Sequence, residues 1–253
     1  MMNVSRWLHT ACLLLAAMFT LSASEPPPPA AGSDATVPAV VQRFLQRQEE
    51  PLTSYRVLRR LEAHNPRYKK HGWLEAWVTL DPIQGFSYEI VGEGGSSYVR
   101  GKVLRKTLAG EAETYATLRH GAAALVPANY TFTDRGKGSD GLVAIGVEPR
   151  RKDTVLVRGQ ILLTSDDADL VRVEGELAKS PSFWTRRVDI VRTYQRIGAV
   201  RVPVTMESTA KVVLAGESTF SMKYEYASIN GREVGQPQPR ETEVPLPEVK
   251  PRR

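Results

Sequence analysis

Val200-Arg201-Val202-Pro203-Val204-Thr205-Met206-Glu207 and Phe220-Ser221-Met222-Lys223-Tyr224-Glu225-Tyr226 decide the fold class. In the first stretch Val200, Val202, Val204 and Met206 alternate with Arg201, Pro203, Thr205 and Glu207. In the second, Phe220, Met222, Tyr224 and Tyr226 alternate with Ser221, Lys223 and Glu225. Successive side chains of a β-strand point to opposite faces, so a period of two predicts strands with one apolar and one wetted face. Strands buried on both faces, as in a parallel sheet, would read as continuous apolar runs instead. The expected sheet is antiparallel.

Outward from these two stretches, strand-like runs recur between turn residues. The run 54–63 stops at Asn65-Pro66 and 73–80 stops at Asp81-Pro82. The run 86–91 is followed by Gly92-Glu93-Gly94-Gly95, which reads as a turn. Then come Tyr130-Thr131-Phe132, 142–147, 155–163, 170–177, 188–196, 200–208, 211–214 and 218–229.

Two segments follow a helical period. Val37, Val40, Val41, Phe44 and Leu45 place one apolar face along 37–48, with Asp34 or Thr36 as cap and Pro38 in the first turn. The proline-free stretch 96–117 sets Val99, Val103, Ala112 and Tyr115 among charges, with Ser96 or Ser97 as N-cap. About ten strands and two helices predict a mainly β (α+β) domain. Its expected form is a strongly curved antiparallel sheet or unclosed β-barrel with the helices covering its concave side.

The ends differ from this domain in composition. Residues 1–24 read as a secretory signal peptide: Arg6 and no acid, an apolar run from Ala11 to Leu21, then Ser22-Ala23-Ser24. Such a run is shorter than the ~20 residues that span a bilayer as a helix. Residues 25–33 are a Pro/Ala-rich leader, and 34–231 form a single domain. Residues 232–253, with prolines at 237, 239, 245, 247 and 251, read as a disordered tail. The expected location is the periplasm. Cys12 is the one cysteine and lies in the signal peptide, so the exported chain carries no disulfide and must rely on its core. Loss of the signal peptide removes Arg6 and lowers the net charge from +6 to +5. The densest basic cluster, Lys69-Lys70-His71 with Arg67, reads as a solvated loop or as a contact for anionic headgroups or cell-wall polymer. Basic and aromatic residues do not interleave as nucleic-acid binding requires.

Catalytic signatures are absent. The sequence contains no G-x-S-x-G elbow, no H-E-x-x-H and no phosphate-binding glycine loop, and no cofactor is implied. His64 and His71 lack a joining carboxylate or thiol motif, so no metal site is assigned. Asp166, Asp167 and Asp169 fail the calcium-loop pattern, because its glycine and glutamate positions are Val171 and Leu177. They read as a hairpin turn. Asp189, Glu207 and Glu225 lie on separate strands and read as surface charge, with an acid–base pair of two of them across a cleft as the alternative, and Trp184 reads as core or cavity wall. No nucleophile is named, and an enzyme is not expected.

The order of these pieces resembles the lipoprotein-localisation-factor superfamily. An opening helix, three strands, a second helix and Tyr130-Thr131-Phe132 precede a long meander. Within that meander, Ile161-Leu162-Leu163-Thr164, Leu170-Val171-Arg172-Val173-Glu174-Gly175 and Ser180-Pro181-Ser182-Phe183-Trp184 resemble outer-membrane lipoprotein-sorting proteins. So do Val202-Pro203-Val204 and Phe220-Ser221-Met222-Lys223-Tyr224. The resemblance implies a half-barrel whose helix-lidded cavity holds a lipid or acylated protein. It also implies an arginine on an early strand that holds the lid, for which Arg56, Arg59 and Arg60 are the candidates. An anchored receptor would need an acylated cysteine, so the resemblance implies a soluble, monomeric carrier. Its cavity would be lined by Val41, Phe44 and Leu45 from the first helix and by Val202, Val204, Met206, Phe220, Met222 and Tyr224. The same side chains would equally fill a closed core. The protein would then be an envelope interaction module whose tail meets a partner.

Overall fold

The computed structural model describes residues 38–115, 123–183 and 185–239. The stretches read as signal peptide and leader, the expected caps at Asp34 and Thr36, Trp184 and the residues from Arg240 onward lie outside the described residues.

Ten strands form one antiparallel sheet: β1 Tyr55–Asn65, β2 Lys70–Asp81, β3 Gly85–Gly95, β4 Tyr130–Lys137, β5 Val143–Pro149, β6 Val157–Leu163, β7 Leu170–Leu177, β8 Thr185–Ile197, β9 Val200–Val212 and β10 Gly216–Ile229. A short β11, Arg232–Glu233, pairs with β10. Helix α1 (Ala39–Gln46) precedes the sheet. Between β3 and β4 run α2 (Ser97–Val99), a π-helical turn (Arg100–Leu104) and α3 (Arg105–Tyr115) in immediate succession.

The strand order is β3-β2-β1-β10-β9-β8-β7-β6-β5-β4. Neighbouring strands are consecutive in the chain except where β1 lies against β10, which joins the N-terminal three strands to the C-terminal meander. The edges β3 and β4 do not pair with each other, so the sheet is open. It curves around the helices. Arg59 on β1 and Arg192 on β8, three places apart in the order, both act on the same Glu111 of α3.

Several elements depart from the sequence expectation. Gly92-Glu93-Gly94-Gly95 is strand, not turn. The indole of Trp73 on β2 lies across it, and a β-carbon at Gly94 would sit 2.5 Å from the indole nitrogen. Glycine there makes room for an aromatic ring, a use that composition alone does not distinguish from a turn. Lys70 and His71 likewise open β2 and belong to no loop. The run 211–214 is no separate strand, since β9 continues to Val212 before the turn. The segment read as a tail begins with β11, and the Gln238 carbonyl accepts a hydrogen bond from Arg60 at 2.8 Å.

The alternation in β9 is broken. Thr193 pairs with Thr205 but Tyr194 with Pro203, so Val204 is the extra residue of a β-bulge. Before the bulge all four residues Val200, Arg201, Val202 and Pro203 are buried. Arg201, expected on the wetted face, packs over the Phe44 ring of α1 at 5.2 Å.

Helix α1 buries Val40, Val41 and Phe44. Its other side is held by charge. Arg43 donates to the carbonyls of Asp166 and Ser165, and Arg47 donates to the carbonyl and carboxylate of Asp167. Below α1, Arg196 and Arg201 share the carboxylates of Glu49 and Asp169. The acids at 166–169 are thus the β6–β7 hairpin turn, occupied by arginines.

Candidate functional site: the concave face and its buried ion pair

The inner face of the sheet can be followed strand by strand through the register. Leu74, Leu61, Met222, Met206, Arg192, Val173, Ile161 and Ile145 are successive cross-strand partners from β2 to β5. All are buried, and all but Arg192 are apolar. The next row begins Ala76, Arg59, Tyr224. Two guanidinium groups therefore interrupt an apolar belt.

Arg59 is 1% exposed. Its Nη1 donates to Glu111 Oε2 at 2.5 Å and its Nη2 to Glu111 Oε1 at 3.0 Å, a two-pronged pair from strand to helix. Nη2 also donates to Tyr55 Oη at 3.1 Å. The rings of Tyr224, Phe86 and Tyr55 lie 5.1, 5.6 and 6.0 Å from its guanidinium carbon. The charge therefore rests among aromatic faces that attract it. Burial works against the Arg59 charge, and Glu111 more than restores it, so its pKa lies above the ordinary value. Burial pushes the Glu111 carboxyl up, while Arg59 and then Arg192 pull it back. Tyr224 is also raised, chiefly by burial.

Glu111 reaches this place because the second helix presents a long buried stripe. Val99, Val103, Thr107 and Glu111 recur every fourth residue, beside Leu104 and Leu108. Gly72 on β2 admits the helix, since a β-carbon there would meet Val99 at 3.1 Å. Arg100 and Arg105 hold the helix to β3 through Glu93, at 2.5 and 2.8 Å. Glu111 itself was not singled out from the sequence. The available signal was its place in line with Val99, Val103 and Thr107, where a carboxylate needs a buried partner.

Of the three early arginines, Arg59 alone faces inward. Strand periodicity sends Arg56 and Arg60 to the outer face. There Arg56 lies over Trp77 at 4.5 Å, and Arg60 meets Glu75 and Glu225 at 3.1 and 2.6 Å. Of the expected lining residues, Val41, Phe44, Val202, Met206, Phe220, Met222 and Tyr224 belong to one buried cluster, against which Leu45 packs. Val204, at the bulge, is half-buried and lies outside that cluster.

The other sequence candidates are dispersed. His64 and His71 are register partners with ring centroids 6.2 Å apart. Among the described residues no group of three or more His, Cys, Asp or Glu is arranged to hold a metal ion. Asp189 is paired with Arg187 and Glu225 with Arg60, while Glu207 is exposed. These three do not form a carboxylate pair.

No family model matches the sequence, and no curated protein matches it either. Among solved structures, the chain is similar to a LolA superfamily protein from Nitrosomonas europaea, at 9% identity and a TM-score of 0.38. That likeness covers 78% of this chain and 94% of the other. It is also similar to a putative outer membrane lipoprotein-sorting protein domain from Vibrio parahaemolyticus, with 11% identity, TM-score 0.34 and coverage of 77% and 92%. A DUF1329 family protein from Desulfovibrio piger follows at 8% identity and TM-score 0.33, with coverage of 74% and 88%.

Proposed function

We propose that this protein is an exported, periplasmic carrier that holds a lipid or acyl chain between the concave face and the second helix. In this reading Arg59 and Glu111 are the latch of that helix. The observation that carries the proposal is the two-pronged ion pair that, beside the buried Arg192, is set into a belt of apolar side chains. A buried ion pair stabilises a fold poorly compared with well-packed apolar side chains. A core selected for stability alone would favour leucine or methionine at positions 59 and 111. A latch has a different requirement: it must be specific in register when closed and able to release when an alternative occupant offers itself. Every CH₂ of an entering chain contributes about 0.8 kcal/mol of burial, so a long acyl chain can offset the opening of such a contact.

In the closed arrangement the belt side chains pack against one another, and loading requires the helix to lift. The competing reading is an envelope interaction module whose core is permanently self-filled; the single buried cluster favours it. Native mass spectrometry of the protein purified gently from periplasm, followed by organic extraction, separates the two. A discrete added mass that extracts as lipid is expected. A clean apo mass, together with no uptake of a fluorescent fatty acid, would leave the module as the function.

A further inference from the structure

The loops at the two ends of the sheet carry opposite charge. Strand directions put 66–69, 150–156, 178–183 and 213–215 at one end and 47–54, 82–84, 138–142, 164–169 and 198–199 at the other. The first set holds Arg67, Lys69, Arg150, Arg151, Lys152 and Lys179 against Asp153. The second holds Glu49, Glu50, Asp140, Asp166, Asp167 and Asp169 against Arg47. At the acidic end most of this charge is matched by Arg47, Arg196, Arg201 and Arg232. At the basic end Arg151 meets Asp153 at 3.4 Å. Among the described residues, Arg67, Lys69, Lys152 and Lys179 make no ion pair.

The basic end also displays apolar loop tips. Phe183 is 89% exposed, Leu214 68% and Tyr68 42%, a set of three where the acidic end has Ile83 in the β2–β3 turn, at 95%. Leu214 has φ +67, a left-handed conformation that favours glycine, and Tyr68 Oη donates to its carbonyl at 3.2 Å. A bulky apolar residue held in such a turn and pointed at water gains the fold nothing.

We infer that this end of the sheet is a docking surface for an anionic lipid bilayer. Cations alone would suit any polyanion, but the tips require a partner with an apolar interior beneath a charged surface. A bilayer that presents phosphate headgroups over acyl chains supplies both. The inference is independent of whether the concave face holds cargo.

The test is co-sedimentation of the chain from Glu25 onward with vesicles of phosphatidylcholine, with or without about a third phosphatidylglycerol. Binding to the anionic vesicles only, weakened by added salt, is expected. Each neutralised cation is worth about fivefold, so the combined variant Arg67→Gln, Lys69→Gln, Lys152→Gln and Lys179→Gln should lose more than about a hundredfold. Phe183→Ser with Leu214→Gly should lose about tenfold or more, and glycine suits the turn at 214. Absence of binding to anionic vesicles overturns the inference, as does binding that survives the four-cation variant. Equal binding to heparin that ignores the Phe183/Leu214 variant would overturn it in favour of a soluble polyanion. Unchanged circular dichroism of each variant keeps misfolding out of the comparison.

Discussion

Arg59 and Glu111 lie 52 residues apart and are both buried, so each is the other's main compensation for leaving water. Glu111→Gln keeps the shape of the side chain and leaves the guanidinium without its carboxylate. The expected loss is about 3 kcal/mol in urea unfolding, the range for breaking a buried pair. Replacing both together, with Arg59→Met and Glu111→Leu, should restore stability or raise it. A Glu111→Gln variant as stable as the parent would mean the pair is solvated and cannot serve as a latch. Arg59 also shows how far residue identity was readable. Three arginines crowd one strand, and the period of two divides them between faces but does not say which face is inner. Burial of Tyr55, Val57, Leu61 and Ala63 beside Arg59 settles that.

Helix α1 illustrates an element whose attachment is electrostatic on one side and apolar on the other. Its apolar face was legible from Val40, Val41 and Phe44, whereas its tether to the β6–β7 turn joins segments some 120 residues apart. Asp167 accepts from the Thr164 hydroxyl and from Arg47, and these bonds hold its pKa down to about 2, from 3.8. A carboxylate whose folded pKa is depressed contributes stability above its ordinary pKa and loses it as pH falls through the folded value. The tether of α1 should therefore hold above pH 4 and weaken between about 4 and 2. Amide-exchange protection in Ala39–Gln46, taken relative to the intrinsic rate at each pH, should fall over that window, more than in β1. An equal loss of protection in both would indicate global unfolding instead. The π-helical turn in the second helix is a departure that sequence period could not reveal. The turn spans Arg100–Leu104, and Val103 and Leu104 within it are both buried.

As a whole the molecule joins a curved apolar face, the buried Arg59–Glu111 ion pair and two oppositely charged ends. If the second helix is a lid, weakening its latch shifts the population toward the open form, and a ligand that prefers that form gains apparent affinity. Glu111→Gln should therefore take up a fluorescent fatty acid faster than the parent, even though it is less stable. Slower or absent uptake in the variant, with uptake in the parent, would show that the pair builds the binding site and does not gate it. The curvature was foreseeable only as a class, because alternation reports one buried face without saying how that face bends. Nor does a period report close approaches such as that of Gly159 to Gly175 across β6 and β7, where a β-carbon on either would lie 2.1 Å from a backbone oxygen.

The local pattern was sufficient for the antiparallel class, most strand positions, the two helices and the apolar faces of α1 and β10. All of these depend on side chains within a few residues of one another, and a period of two or 3.6 is written directly in the chain. Tertiary structure alone decided that β1 lies between β2 and β10, that the bulge at Val204 accompanies the burial of Arg201, and that Glu111 is the partner of Arg59. Those outcomes join residues dozens to more than a hundred positions apart. The free energy of a buried charge depends on what the fold brings beside it, which no local period encodes.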